Sequence, residues 1–253
     1  MVGVEAFTDW VEFETWPAPG CPTCGAGFLS GEDKLDKVET ARSVSWRKEE
    51  AWEPDWIHGV LSGHLTCNNE RCGEFVVVGG TWCVGDSRDP YQQYAERLTL
   101  RFFHPPLQFI RIPEKTPDET ARAIRDASSL LLANPSAAAN RLRQGIEALL
   151  TAKKVKRFTI ATRRNGSTFR DRLTLHARIE ILRKSEKDVA DLLEAVKWIG
   201  NDGSHESGLT AREVLVGARI MEAALYRLFE SRDPEMERIV RKIIKNKGIR
   251  KRT

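Results

Sequence analysis

The chain has 253 residues and a mass of 28.6 kDa, enough for one large domain or two modest ones, each with a core of its own. Hydrophobic content of 41%, charged content of 30% and a mean hydropathy of −0.42 exclude a disordered or fibrous chain and argue against a membrane protein. The longest apolar stretch, Phe75 to Gly85, falls short of the roughly 18–20 residues of a spanning helix, and Met-Val-Gly-Val-Glu-Ala at the start carries acid where a signal peptide carries base. The expectation is a cytoplasmic protein with no membrane partner.

The net charge of +4 hides an asymmetry. Residues 1–104 hold 9 lysines and arginines against 17 acidic residues, a balance of −8, whereas residues 105–253 hold 31 against 19, a balance of +12. The second half has the electrostatics to meet a polyanion.

Six of the seven tryptophans and all five cysteines precede His104, together with β-rich runs such as Phe75-Val-Val-Val and Leu98 to Phe103, so this half reads as strands and loops. After His104-Pro105-Pro106, the alternation of Leu107-Gln-Phe-Ile-Arg-Ile112 predicts one more strand. From Thr116 the period becomes helical. Thr116-Pro117-Asp118-Glu119 offers a cap, a first-turn proline and a capping-box carboxylate, predicting a helix over 117–133. Asn134-Pro135 repeats the device, and Ala138, Leu142, Ile146, Leu149 and Leu150 mark the buried stripe of a second helix to Lys154. Thr159 to Thr168 reads as a loop. Helices over 173–184 and 186–199 follow, with Gly200-Asn201 suited to a left-handed helix end. Thr210-Ala-Arg-Glu213 is a second capping box, opening a helix to Phe229. A last segment from Asp233-Pro234 sets Met236, Ile239, Val240, Ile243 and Ile244 on one face and basic residues on the other.

Two cysteine pairs carry the clearest chemistry. Cys21-Pro-Thr-Cys24-Gly and Cys67-Asn-Asn-Glu-Arg-Cys72-Gly are tight knuckles, each followed by glycine, which lets backbone amides turn toward the sulfurs. Together they predict a closed four-sulfur zinc site of structural type, with zinc–sulfur distances of about 2.3 Å. The 42 residues between Cys24 and Cys67 require an inserted hairpin or subdomain. The competing readings are a disulfide framework, which suits an oxidising compartment, a redox pair, which wants a βαβ context, and unrelated buried thiols. Cys83 is left over as a buried thiol, and His64 stands close enough to Cys67 to be weighed as a substitute ligand.

Beyond Pro105 the residues resemble a family. Pro105-Pro106 through Ile112-Pro113, Ala121 to Asn134-Pro135, Ala139-Asn-Arg-Leu-Arg143, Gly145-Ile-Glu147-Ala-Leu-Leu150, and Ile199-Gly200-Asn201 with His205 are similar to the domain-of-unknown-function family numbered 4145, over about Pro105 to Phe229. The resemblance implies a HEPN-like helical bundle that dimerises, with members carrying a zinc-knuckle region or joined to antiphage defence proteins. Active members of that superfamily are metal-independent endoribonucleases using an arginine and a histidine at a dimer seam. His205 matches the histidine and Asn201 the neighbouring polar residue. The arginine is missing, Gly200 standing where it is expected, so Arg143, Arg141 or Lys197 is left to supply the cation. On chemical grounds His205 suits proton transfer and an arginine suits the charged phosphorane; Gly200 to His205 equally suits a plain polar turn.

Two basic runs complete the picture. Lys153, Lys154, Lys156, Arg157, Arg163, Arg164, Arg170 and Arg172 share one segment with a single acid, and the segment from Arg238, including Arg241, Lys242 and Lys245, has none. They are the candidate nucleic-acid contacts, RNA before DNA. The expected fold is α+β: a β-rich zinc-ribbon-like domain at 1–104, a HEPN-like bundle at 105–232, and a basic amphipathic helix and tail at 233–253. The expected function is a homodimeric defence- or toxin-type protein, with a defence-system partner, that binds and cleaves RNA. The alternative is a non-catalytic nucleic-acid or protein adaptor. No set of histidines and carboxylates has the spacing of a zinc hydrolase.

Overall fold

The computed structural model describes residues 3–202 and 208–230. His205 and the expected basic helix and tail at 233–253 lie outside the described residues.

The first half is a curled antiparallel sheet. Its long strands are β4 (His58–Cys67), β5 (Phe75–Asp86) and β6 (Tyr94–His104), with the short β1 (Val11–Glu12), β2 (Leu29–Ser30) and β3 (Asp36–Glu39) on the margins. The order is β1-β6-β5-β4-β2, and β3 shares the outer edge of β4. The period of two is obeyed: Leu61, Leu65, Val76, Val78, Leu98 and Leu100 point inward and are buried, while Val60 and Val77 face out. A register shift between Gly79 and Gly80 marks a bulge in β5. Between β3 and β4 lies a short helix that the pattern did not announce, α1 (Ala41–Trp46), capped by Thr40 accepting from the Ser43 amide.

The second half is helical, giving an α+β protein. It comprises α2 (Asp118–Leu130), α3 (Pro135–Ala152), α4 (Leu175–Arg183), α5 (Lys187–Asp202) and α6 (Ala211–Phe229), with a two-stranded hairpin, β7 (Phe158–Thr162) and β8 (Thr168–Arg172), between α3 and α4. Half of the expected loop over 159–168 is therefore strand, with the turn over 163–167 and Gly166 at φ of 83°. The expected N-terminal box of α2 does not form. Pro117 is the cap residue, no side chain caps the helix, and the buried Thr116 hydroxyl has no partner. The Asn134 cap of α3 does form, its side chain accepting from the Ala137 amide.

Leu107 to Ile112 is not a strand. Leu107 and the adjacent Phe109 and Ile110 are buried, which breaks the expected alternation, and the Arg111 amide donates to Glu222 Oε1 on α6 at 2.7 Å rather than to a neighbouring strand. Buried residues of the sheet, this connector and the helices form one contiguous apolar cluster. Exposed ion pairs Asp9–Arg212 and Glu5–Arg219, both at 3.3 Å, link the acidic first half to α6. Each is worth well under about 1 kcal/mol, so the shared core, not charge, joins the halves.

The capping box of α6 is complete. Thr210 accepts from the Glu213 amide, Glu213 accepts from the Thr210 amide, and these bonds hold the Glu213 carboxyl below its usual range. Thr210→Ala is expected to cost about 1 kcal/mol in urea unfolding at neutral pH. The part of that loss due to Glu213 should vanish as the pH falls below the ordinary glutamate range, because a depressed carboxylate stabilises only while ionised.

Candidate functional site

The two knuckles meet. Cys21 is held by its amide bond to the Gly27 carbonyl and by the Gly25 amide donating back to its carbonyl. Cys67 ends β4, its amide bonded to the Glu74 carbonyl across the turn, and Cys72 and Gly73 both donate to Asn69 O. Gly25 and Gly73, the glycines after the second cysteine of each pair, adopt φ of 62° and 58°, the left-handed turn the sequence pattern requires. The pairing of β2 with β4 sets Leu29 opposite Cys67 and so brings the first knuckle over the second.

All four Sγ atoms lie within 4.8 Å of one another, a group that could hold a metal ion. Cys21 and Cys72 are 3.9 Å apart and Cys24 and Cys67 3.7 Å. A tetrahedron of sulfurs about 2.3 Å from a central ion has edges of about 3.8 Å, so the donor set fits, whereas a disulfide needs about 2.05 Å. The thiols are free and their spacing removes the disulfide reading. His64 is not in the group; its ring packs on Phe75 at 5.6 Å on the outer sheet face. Cys83 is half-buried on β5, with burial raising its pKa.

The site is polarised. Amides of Ala26 and Gly27 pull the Cys24 thiol down to about 6, while burial pushes Cys67 up to about 12. Four thiolates cannot gather here without a cation, and a dication would displace the protons that burial retains.

The helical half brings together part of the second set. Gly200 does not end its helix in a left-handed turn: α5 continues to Asp202, and the reason for glycine is packing. A Cβ on Gly200 would stand 3.0 Å from Arg143 Cβ and 3.3 Å from the Ala139 carbonyl on α3. Arg143 therefore lies against the place where the family arginine is expected, with Nη2 4.0 Å from Glu147. Asn201 is half-buried in the next position. Lys197 is buried, 3.8 Å from Glu194 and with its ammonium 3.7 Å from the Trp198 ring, so it is already engaged. Arg141 is exposed and bonded to Gln144 on its own helix.

The candidate nucleic-acid residues divide. Lys153 caps α3 and reaches Glu186 at 4.0 Å, and Lys154 takes a left-handed φ of 59° in the turn that closes the helix. Lys156, Arg157, Arg163 and Arg164 are exposed along or beside the hairpin. There Arg170 lies 4.3 Å from the Phe158 ring and Arg163 5.0 Å from the Phe169 ring. Arg241, Lys242 and Lys245 are outside the described residues. Sequence reasoning missed Arg178, buried on α4. The signal was available: with Leu175, Ile179 and Leu182 it occupies the apolar face of that helix, where an arginine is out of place.

Among the described residues no helix is long and apolar enough to cross a membrane. A family model described as Domain of unknown function (DUF8608) matches residues 11–103, which include all four clustered cysteines. A second, described as Domain of unknown function (DUF4145), matches residues 125–252. No curated protein and no solved structure matches the chain.

Metal analysis of the purified protein should find about one equivalent bound per chain. Loading the stripped protein should release protons, and the metal should be lost progressively as the pH falls, because protons compete with it for the four thiolates. Cys67→Ser should abolish binding. Gly200→Leu is expected to destabilise the protein by about 2 kcal/mol or more, since α3 and α5 must separate to admit the side chain; unchanged unfolding would contradict the close approach.

Proposed function

The chain belongs to the DUF4145 family, and on that premise we propose that it is a zinc-stabilised, HEPN-like protein that binds RNA as a homodimer. Zinc in a closed four-sulfur shell supplies a cross-link and no open coordination position, so its part is structural. Cys21, Cys24, Cys67 and Cys72 would hold it, tying the first knuckle to the β4–β5 turn.

The observation that carries the RNA reading is the β7–β8 hairpin. Its two strands are almost wholly exposed and pair arginines with phenylalanines, Arg170 on Phe158 and Arg163 on Phe169. Guanidinium groups meet phosphates while aromatic and guanidinium faces stack on unpaired bases, the combination that single-stranded RNA uses. The balance of +12 over residues 105–253 extends the same attraction.

A second reading, metal-independent cleavage, is favoured by the packing of Arg143 against Gly200. In it His205 takes the proton of a 2′-hydroxyl as O2′ attacks phosphorus. Arg143 and Asn201 stabilise the charged oxygens, and the P–O5′ bond breaks with a proton passing to the leaving oxygen. The products are a 2′,3′-cyclic phosphate and a 5′-hydroxyl.

Fluorescence anisotropy with single-stranded RNA tests the binding reading. The parent should bind with affinity falling steeply between 50 and 200 mM salt, and Arg163→Gln with Arg170→Gln should weaken binding by about tenfold and flatten the salt slope. Incubation with cellular RNA in EDTA, once circular dichroism has established that the fold survives the chelator, tests cleavage. Cyclic phosphate ends from the parent and none from His205→Ala are expected; intact RNA throughout would leave binding alone.

A further inference from the structure

Arg178 is an unusual buried charge. The residue is 4% exposed, and its guanidinium meets only uncharged acceptors: the Glu147 carbonyl at 3.2 Å, the Thr151 hydroxyl at 3.0 Å and the Val155 carbonyl at 3.4 Å. Its Nε is buried without a partner. Among the described residues no carboxylate lies within ion-pair distance of it. A guanidinium taken out of water in this way is costly unless an anion compensates it.

The surroundings supply the place for one. Arg178 lines a cleft of about 350 Å³ together with Arg143, Arg157, Arg172, Glu147 and Thr174. Four arginines thus face one carboxylate. Glu147 is shared between Arg172 at 3.2 Å and Arg143 at 4.0 Å, and Arg143 Nε is also buried without a partner. Thr174 is the N-cap of α4, whose positive dipole end adds to the field. A neighbouring cleft of about 560 Å³ shares Glu147, Arg157 and Arg178 but is balanced by Asp118 and Glu119, so its greater size does not make it an anion site.

We infer that the smaller cleft binds a phosphate monoester, with the guanidinium groups of Arg143, Arg157 and Arg172 gripping the dianion and Arg178 supplying charge from beneath. An excess of three positive charges suits a doubly charged phosphate better than a single carboxylate, and guanidinium forks match phosphate oxygens in pairs. The volume admits the phosphate and the sugar of a nucleotide, at the lower end for small-ligand sites. A free mononucleotide and the 5′ end of an RNA strand share this chemistry, and the inference stands without the RNA reading because the mononucleotide alone satisfies it.

Isothermal titration of the full chain with inorganic phosphate, a 5′-mononucleotide, and one short RNA bearing either a 5′-phosphate or a 5′-hydroxyl tests the site. The parent should bind the phosphate-bearing compounds, and the phosphorylated RNA more tightly than its hydroxyl twin if strand ends are the source. Arg157→Gln with Arg172→Gln should weaken monoester binding by about tenfold or more, while Arg101→Gln, an exposed side chain on β6 far from the cleft residues in sequence and assigned no role in binding, should leave it unchanged. Circular dichroism checks the fold; Arg172→Gln alone, a side chain 67% exposed, serves if the double variant does not fold. No binding of any monoester by the parent, or equal binding by the folded cleft variant, overturns the inference. Loss of RNA binding in the hairpin variant with mononucleotide binding intact would separate the two surfaces.

Discussion

The sheet of the first half depends on four sulfurs converging on one point. Cys21 and Cys24 belong to a segment with little regular structure, Cys67 to the end of β4 and Cys72 to the turn before β5. Without a cation, converging thiols offer weak contacts and mutual repulsion once ionised; with one, they become a cross-link between segments 42 residues apart. The backbone prepares this outcome. Amides near Ala26 and Gly27 favour the Cys24 thiolate, and the β2–β4 register opposes Leu29 to Cys67, so the knuckles are stacked by sheet geometry before any ion is considered.

From that centre the core runs without interruption into the helices. The inward faces of β4, β5 and β6 continue through Leu107, Phe109 and Ile110 to α2 and α3. The connector therefore does the work of a third layer while lacking a ladder of its own. Its burial does not alternate, since the consecutive Phe109 and Ile110 are both buried, and the Glu222 carboxylate satisfies the Arg111 amide that a strand partner would have taken.

The charge of the second half is organised rather than spread. The hairpin carries arginines over aromatic rings at the surface, whereas the cleft beside α4 gathers arginines around Glu147 and buries one of them. These are different chemistries. Exposed arginines on a two-stranded ribbon suit an extended polyanion under salt control, and a recessed cluster with a buried guanidinium suits a compact dianion whose desolvation the site has already met.

The sequence by itself determined the two cysteine knuckles that could hold a metal ion, because a knuckle is local: cysteine spacing and a following glycine specify the turn within a few residues. It also determined the five helices seen among the described residues of the second half, the α6 capping box and the division into a β-rich and a helical region, since periodicity and caps are short-range signals. Only the tertiary structure decided what depends on neighbours far along the chain. The hairpin in place of the expected loop over 159–168 is not of that kind: its paired residues lie 6 to 14 positions apart around Asn165-Gly166, so its signal was local and sequence reasoning missed it. The tertiary structure took Leu107 to Ile112 off the sheet, and it made Gly200 a packing residue against Arg143 where the sequence suggested a helix end. Arg178 falls between the two: its position on an apolar helix face was legible, but the arginines that join it come from α3, β8 and the turn before β7, and only folding could assemble them.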